Sequence, residues 1–123
     1  MQISLDTGTG AYTIRSYSAG EIKINDRTLH HSLIVTPTQL IEPWAPNTLQ
    51  ELQISDLEVI VAMNPEIVLL GTGSQMLFPY PALLALFLER KIGIEFMDTG
   101  AACRTFNVLT SEGRNVAAAL LIK

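Results

Sequence analysis

Polar and apolar residues alternate along the first third of the chain, and the alternation gives way to longer apolar blocks beyond it. Residues 12–18 (YTIRSYS), a turn near Gly20 and residues 21–25 (EIKIN) follow a period of two, the period at which strand side chains point to opposite faces. Asn25-Asp26 marks the next turn, and residues 31–36 (HSLIVT) resume a strand that Pro37 stops. The pattern predicts a meander of short antiparallel strands. Residues 37–47 (PTQLIEPWAPN) hold three prolines, which helix interiors and central strands do not accept, so an irregular connection carrying Trp44 is expected there.

From Ser55 the pattern becomes alternating helix and strand. Ser55 with Glu58 has the spacing of a capping box, opening a helix that ends near Met63 before Pro65. Residues 67–70 (IVLL) have no polar face, as expected of a strand covered on both sides. Residues 81–91 read as a helix, 94–97 (IEFM) as a strand, and Thr99 as the cap of a helix ending at Gly113. Residues 116–122 (VAAALLI) close the pattern as an apolar strand. Residues 82–88 are apolar on all sides, which predicts a helix buried all round, in the core or against a partner. Together these elements predict one α/β domain over residues 1–123: a sheet with helices on its faces, extended or covered by the N-terminal antiparallel β meander.

Composition narrows the partners. With 48% hydrophobic and 16% charged residues, the chain leaves apolar area to share with a protein partner or a second copy. Eight basic against twelve acidic residues give a net charge of −4 with no basic cluster, so nucleic acid is not an expected partner. The single cysteine, Cys103, cannot form an internal disulfide, and residues 1–12 (MQISLDTGTGAY) lack the basic and apolar regions of a targeting signal. The longest apolar run is far short of the roughly 20 residues that span a bilayer. A cytoplasmic protein that does not cross a membrane is expected.

In α/β sheets ligands dock beyond the carboxyl ends of the parallel strands, where glycine loops lead into helix N-termini. Two stretches fit: Gly71, Thr72, Gly73, Ser74 and Gln75 (GTGSQ), and residues 98–103 (DTGAAC) with Thr99 and the following Arg104. Gln75-Met76 stands where a phosphate loop needs lysine and serine or threonine, and Met76 stands where a dinucleotide loop needs its third glycine. The glycines then serve either a tight turn or a small anion held on exposed amides. Arg104 either holds an anion in that crevice or pairs with Asp98 or Glu95.

Cys103 lies one turn into its helix, where the N-terminal field would lower a thiol pKa, yet Ala101, Ala102 and Phe106 around it predict a packed apolar face. His30 and His31 point to opposite faces of a strand and cannot chelate one metal together. No catalytic residue, metal or cofactor is assigned. Trp44, held between prolines, either plugs the core edge or faces outward as an interaction anchor.

The combination PEIVLLGTG (65–73), GIEFMDTGAACRTFNVLTSEGR (93–114), the closing AAALLI, the SAGEIKIN hairpin and the lone tryptophan resembles a small domain family. Its members include the mitochondrial respiratory complex I assembly factor 3 and an adipogenesis-associated Mth938-domain-containing protein. The resemblance implies a compact three-layer α/β domain with a mixed central sheet and no established catalytic activity. A non-enzymatic protein-binding or assembly-type domain is therefore expected, against a small-molecule or anion binder, or an enzyme, at the two glycine loops.

Overall fold

The computed structural model describes residues 2–5 as a strand and residues 12–123 throughout. The reading of residues 1–12 as free of a targeting signal falls largely outside them. Among the described residues nine strands and three helices run in the order β1 (Gln2–Leu5), β2 (Ile14–Ser18), β3 (Glu21–Ile24), β4 (Arg27–Leu29), β5 (Leu33–Val35), β6 (Gln39–Glu42), α1 (Ile54–Ala62), β7 (Ile67–Gly71), α2 (Pro81–Glu89), β8 (Gly93–Met97), α3 (Thr99–Ser111) and β9 (Val116–Leu120). A single 3₁₀ turn, Leu49–Glu51, precedes α1.

The main sheet has six strands in the order β1-β6-β5-β9-β7-β8 and is mixed: β7 runs parallel to β8 and β9, whereas β5 is antiparallel to β6 and β9. The meander closes on itself as a separate antiparallel sheet, β2-β3-β4, and leaves β5 to the main sheet. It covers the larger sheet from one side.

Side-chain alternation on the central strands divides the core in two. Leu33, Val35, Leu69, Val116, Ala118 and Leu120 pack with Ala102, Cys103 and Phe106 of α3 and with Ile14, Ile22, Ile24 and Leu29 of the small sheet. Ile34, Val68, Leu70, Ala117, Ala119 and Leu121 face Leu57 and Ile60 of α1, Leu83 and Phe87 of α2, and Trp44. These are the layers above and below a doubly covered sheet. Three successive alanines in β9 keep its side chains short between the two layers. Truncating a fully buried Phe87 or Phe106 to alanine costs about 3–5 kcal/mol, which makes these two rings principal fasteners of their layers.

Five details differ from the pattern-based expectation. β1 was not foreseen, and residues 39–42 form β6 inside the stretch read as irregular, paired with both β1 and β5. Pro37 and Pro43 flank the strand and so remove none of its ladder donors. The capping box of α1 uses Gln53 and Asp56, with the Gln53 amide donating to Asp56 Oδ2 at 2.9 Å, two residues before Ser55 and Glu58. The cap of α3 is Asp98, which accepts the Ala101 amide at 2.8 Å, and Thr99 is the first helical residue. Finally, α2 is not buried all round: only Leu83 and Phe87 are buried, and Leu88 is 66% exposed.

Candidate functional site

β7 ends at Gly71, and the chain turns at once against the first residues of α3. A Cβ on Gly71 would stand 2.9 Å from Thr99 Oγ1 and 3.2 Å from Leu120 Cδ2. Gly73 has φ +100°, and a Cβ there would lie 2.1 Å from the Lys123 carbonyl oxygen, so glycine is required on both counts. The Thr72 amide donates to Met97 O (2.8 Å), and its hydroxyl donates to Gln75 O (2.6 Å) while accepting from the Leu77 amide (3.1 Å). The Gly73 amide donates to Thr99 Oγ1 (2.8 Å), and Gly73 O accepts from the Thr99 amide (2.8 Å).

Thr99 is fully buried, and its hydroxyl also donates to Leu121 O at 2.7 Å. One side chain therefore ties the loop, the helix start and the C-terminal segment together. Both backbone donors at Thr72 and Gly73 are taken, and the first turn of α3 already has a carboxylate, Asp98, on it. Ser74 and Gln75 are exposed at the tip. The first two amides of the loop are thus bonded within the fold, as in a strand-to-helix turn, and those of Ser74 and Gln75 at its tip are not bonded among the described residues.

Arg104 does not join that loop. It is exposed on α3 and lines a hollow of about 160 Å³ with Arg15, Tyr17, Gly100, Cys103 and Asn107, a set that includes none of Gly71, Thr72, Gly73, Ser74 and Gln75. Arg104 takes part in none of the ion pairs among the described residues, so the expected pairing with Asp98 or Glu95 does not occur. Asn107, in the same lining, ties α3 to the backbone of β2, donating to Ile14 O (2.7 Å) and accepting from Ile14 N (3.1 Å). An irregularity between Ile14 and Ser16 shifts the register with β3, turning Ile14 and Tyr17, three residues apart, toward the same core.

Cys103 is buried, and burial pushes its thiol up to about 12 against the pull of Arg104, with Asp98 adding to the rise. The lowered pKa that a helix N-terminus would give is thus overridden by desolvation, and the thiol is a packing group. Tyr17 is also raised, first by burial and then by Cys103 and Asp98.

His30 and His31 diverge, as expected of neighbours on an extended chain: Nε2 of His30 is 3.4 Å from Glu21, and Nε2 of His31 is 3.2 Å from Glu42. Glu42 is itself buried and also pairs with Arg27. Among the described residues no group of three or more histidine, cysteine or acidic side chains has metal-holding geometry. Trp44 is 2% exposed, with Nε1 donating to Asp56 O at 3.1 Å. Its ring plugs the core edge, and the outward-facing arrangement does not occur.

The exposed apolar residues lie elsewhere and were missed by sequence reasoning. Met76, Phe78 and Tyr80, at alternate positions of the segment between β7 and α2, are 49%, 76% and 63% exposed. Phe78 stands edge-on to Phe96 of β8, ring centroids 5.3 Å apart. The available signal was the run FPYP at residues 78–81, in which aromatic side chains alternate with prolines that stiffen the chain.

Comparison with known proteins places the chain among relatives of similar size and larger ones. It is 32% identical over 108 residues to the "13 kDa major membrane protein" of Francisella tularensis, covering 87% of this chain and 88% of that protein. It is 32% identical over 123 residues to the NADH dehydrogenase [ubiquinone] 1 alpha subcomplex assembly factor 3 of Danio rerio, covering 98% of this chain and 68% of that one. The human assembly factor is spanned over 61% of its length. Among solved structures, Xanthomonas campestris XCC1710 superposes with a TM-score of 0.85 at 39% identity, covering 95% of this chain and 89% of that one. A Mth938-like domain of Bordetella pertussis does so at 0.79 and 26%, covering 99% and 92%. Among the described residues no helix is long and apolar enough to cross a membrane. The family described as "Protein of unknown function (DUF498/DUF598)" matches residues 14–121, and the chain belongs to it.

Proposed function

We propose that this protein is a non-enzymatic protein-interaction domain of the assembly-factor type, working in the cytoplasm. The observation that carries the reading is the alignment of nearly the whole chain with relatives named as assembly factors of NADH dehydrogenase. Two physical features support it. The glycine loop, the feature most suggestive of a ligand, has its donors at Thr72 and Gly73 bonded within the fold. Phe78, Tyr80 and Leu88 instead expose large apolar surfaces, which favour contact with another protein.

The test is differential capture: tagged wild-type protein against a Phe78→Ser/Tyr80→Ser variant of matched thermal stability, with bound proteins identified by mass spectrometry. A defined set of partners held by the wild type and lost by the variant supports the reading. Capture no different from that of an unrelated tagged protein overturns it.

A second reading, small-anion binding, is favoured by one observation: Arg104 and Arg15 line the same hollow and neither joins an ion pair among the described residues. Calorimetric titration with inorganic phosphate tests it, and a binding signal abolished by Arg104→Gln would establish it. Identical traces for the two proteins would end it.

A further inference from the structure

Among the described residues the six-stranded sheet ends at β8, which is hydrogen-bonded on one side only. In a parallel pair, the N–H and C=O of one residue point the same way and those of the next residue point oppositely. The Gly93 amide donates to Glu66 O (3.2 Å), and Met97 O accepts from the Thr72 amide (2.8 Å), so Gly93, Glu95 and Met97 serve the β7 side. Ile94 and Phe96 therefore turn their backbone groups outward, each offering one donor and one acceptor to an incoming strand.

The surroundings suit such a strand. Ile94 and Phe96 carry their side chains on the face shared with α2, each half-buried, and Phe78 stands against Phe96. Leu86 lines a shallow hollow with Glu58, Val61 and Ala62 of α1, so Leu88, two helical positions on, lies on the flank of α2 away from α1. α2 packs against β8, so apolar groups of α2, Phe78 and Phe96 gather at the last strand. Edges are commonly blunted by proline, lysine, a bulge or a covering segment, and β8 has no proline or lysine and pairs with β7 without a register break.

Its one charge is Glu95, exposed at the middle of the strand. A second copy pairing antiparallel about this residue would set Glu95 directly opposite its twin, which is destabilising, and with a net charge of −4 the whole chains repel as well. A strand with a basic residue at that place meets no such penalty.

We infer that the open edge of β8 docks an extended segment of a partner protein by strand addition. The segment reads apolar-basic-apolar, its apolar residues opposite Ile94 and Phe96 and its lysine or arginine opposite Glu95. This rests on the proposed interaction role and names its surface and the chemistry of its partner.

The test uses the whole chain, isotope-labelled, titrated with a short synthetic peptide carrying Val-Arg-Val and with its Val-Glu-Val counterpart. Expected are shifts and slowed hydrogen exchange at the Ile94 and Phe96 amides with the arginine peptide, and about tenfold weaker binding of the glutamate peptide. Glu95→Lys, an exposed substitution that leaves the fold intact, should reverse that preference. Equal affinities, perturbations away from β8, no binding at millimolar peptide, or a wild type that is already dimeric with those amides protected would each overturn the inference. Peptide failure alongside intact differential capture removes the edge and leaves the interaction role standing. Failed capture alongside specific peptide binding does the opposite.

Discussion

The start of α3 and the edge at β8 lie side by side in the chain and in the fold, yet they treat their polar backbone in opposite ways. At the first, the amides of Thr72, Gly73 and Thr99 and the hydroxyls of Thr72 and Thr99 all donate to a neighbouring carbonyl or hydroxyl, with Cys103 packed one turn further in. At the second, Ile94 and Phe96 point their amides outward beside Phe78. The glycine-rich stretch that draws attention in the sequence is where the fold consumes its own hydrogen-bonding capacity. The plain strand next to it keeps capacity in reserve. A buried group without a partner is costly, so the closed region should be fragile to substitution and the open edge tolerant.

The largest effect should come from Gly73→Val. The left-handed backbone and the 2.1 Å approach to Lys123 O together should remove about 4 kcal/mol or more, read as collapse of soluble yield or of the urea midpoint. A normal midpoint would dissolve the contrast. Next, Cys103 has a folded pKa raised above its ordinary value near 9 to about 12, so the folded state holds its proton longer than the unfolded chain does. Its stabilisation is complete below pH 9 and is lost as pH rises toward 12, by at most about 4 kcal/mol. Cys103→Ser should flatten that part of the alkaline unfolding curve, leaving the Tyr17 contribution above its own ordinary value.

Thr99→Val leaves the Leu121 carbonyl and the Gly73 amide unpartnered and should cost about 2–3 kcal/mol, whereas Thr99→Ser should stay within about 1 kcal/mol in the same denaturant series. At the open edge, Phe78→Ser should cost about 1 kcal/mol through the lost ring contact with Phe96, and Glu95→Lys less than about 0.5 kcal/mol, since it is an exposed substitution. A melting temperature that fell as far for Phe78→Ser as for Thr99→Val would place Phe78 in the core and erase the distinction.

The sequence carried the fold well wherever local chemistry and tertiary context agree. The alternation of residues 21–25, the apolar run of β7, the Pro81 start of α2 and the Gly113 end of α3 each express a local rule that the packed protein also obeys. It failed where context decides. The prolines around β6 concealed a strand because their meaning depends on whether they fall inside or beside the ladder. The continuous apolar run of α2 concealed an exposed flank, because periodicity cannot tell a covered helix from one beside a sheet edge. Arg104 was placed near the glycine loop by its position in sequence, but the turn of the helix aims it toward β2. The edge status of β8 is a property of strand order, and only the assembled sheet contains it.

That same strand order makes the sheet depend on its last strand. β9, the last strand along the chain, lies in the interior of the sheet, antiparallel to β5 on one side and parallel to β7 on the other. Until residues 116–120 are in place, β1-β6-β5 and β7-β8 are two separate ribbons with no backbone ladder between them, and neither has both of its faces defined. The closure that joins them spans more than half of the chain, from Leu33 to Leu120. Such non-local pairing is slow, because loop entropy must be lost before any contact rewards it. One short alanine-rich strand is therefore the keystone of the sheet, and without it the two ribbons would share no backbone ladder.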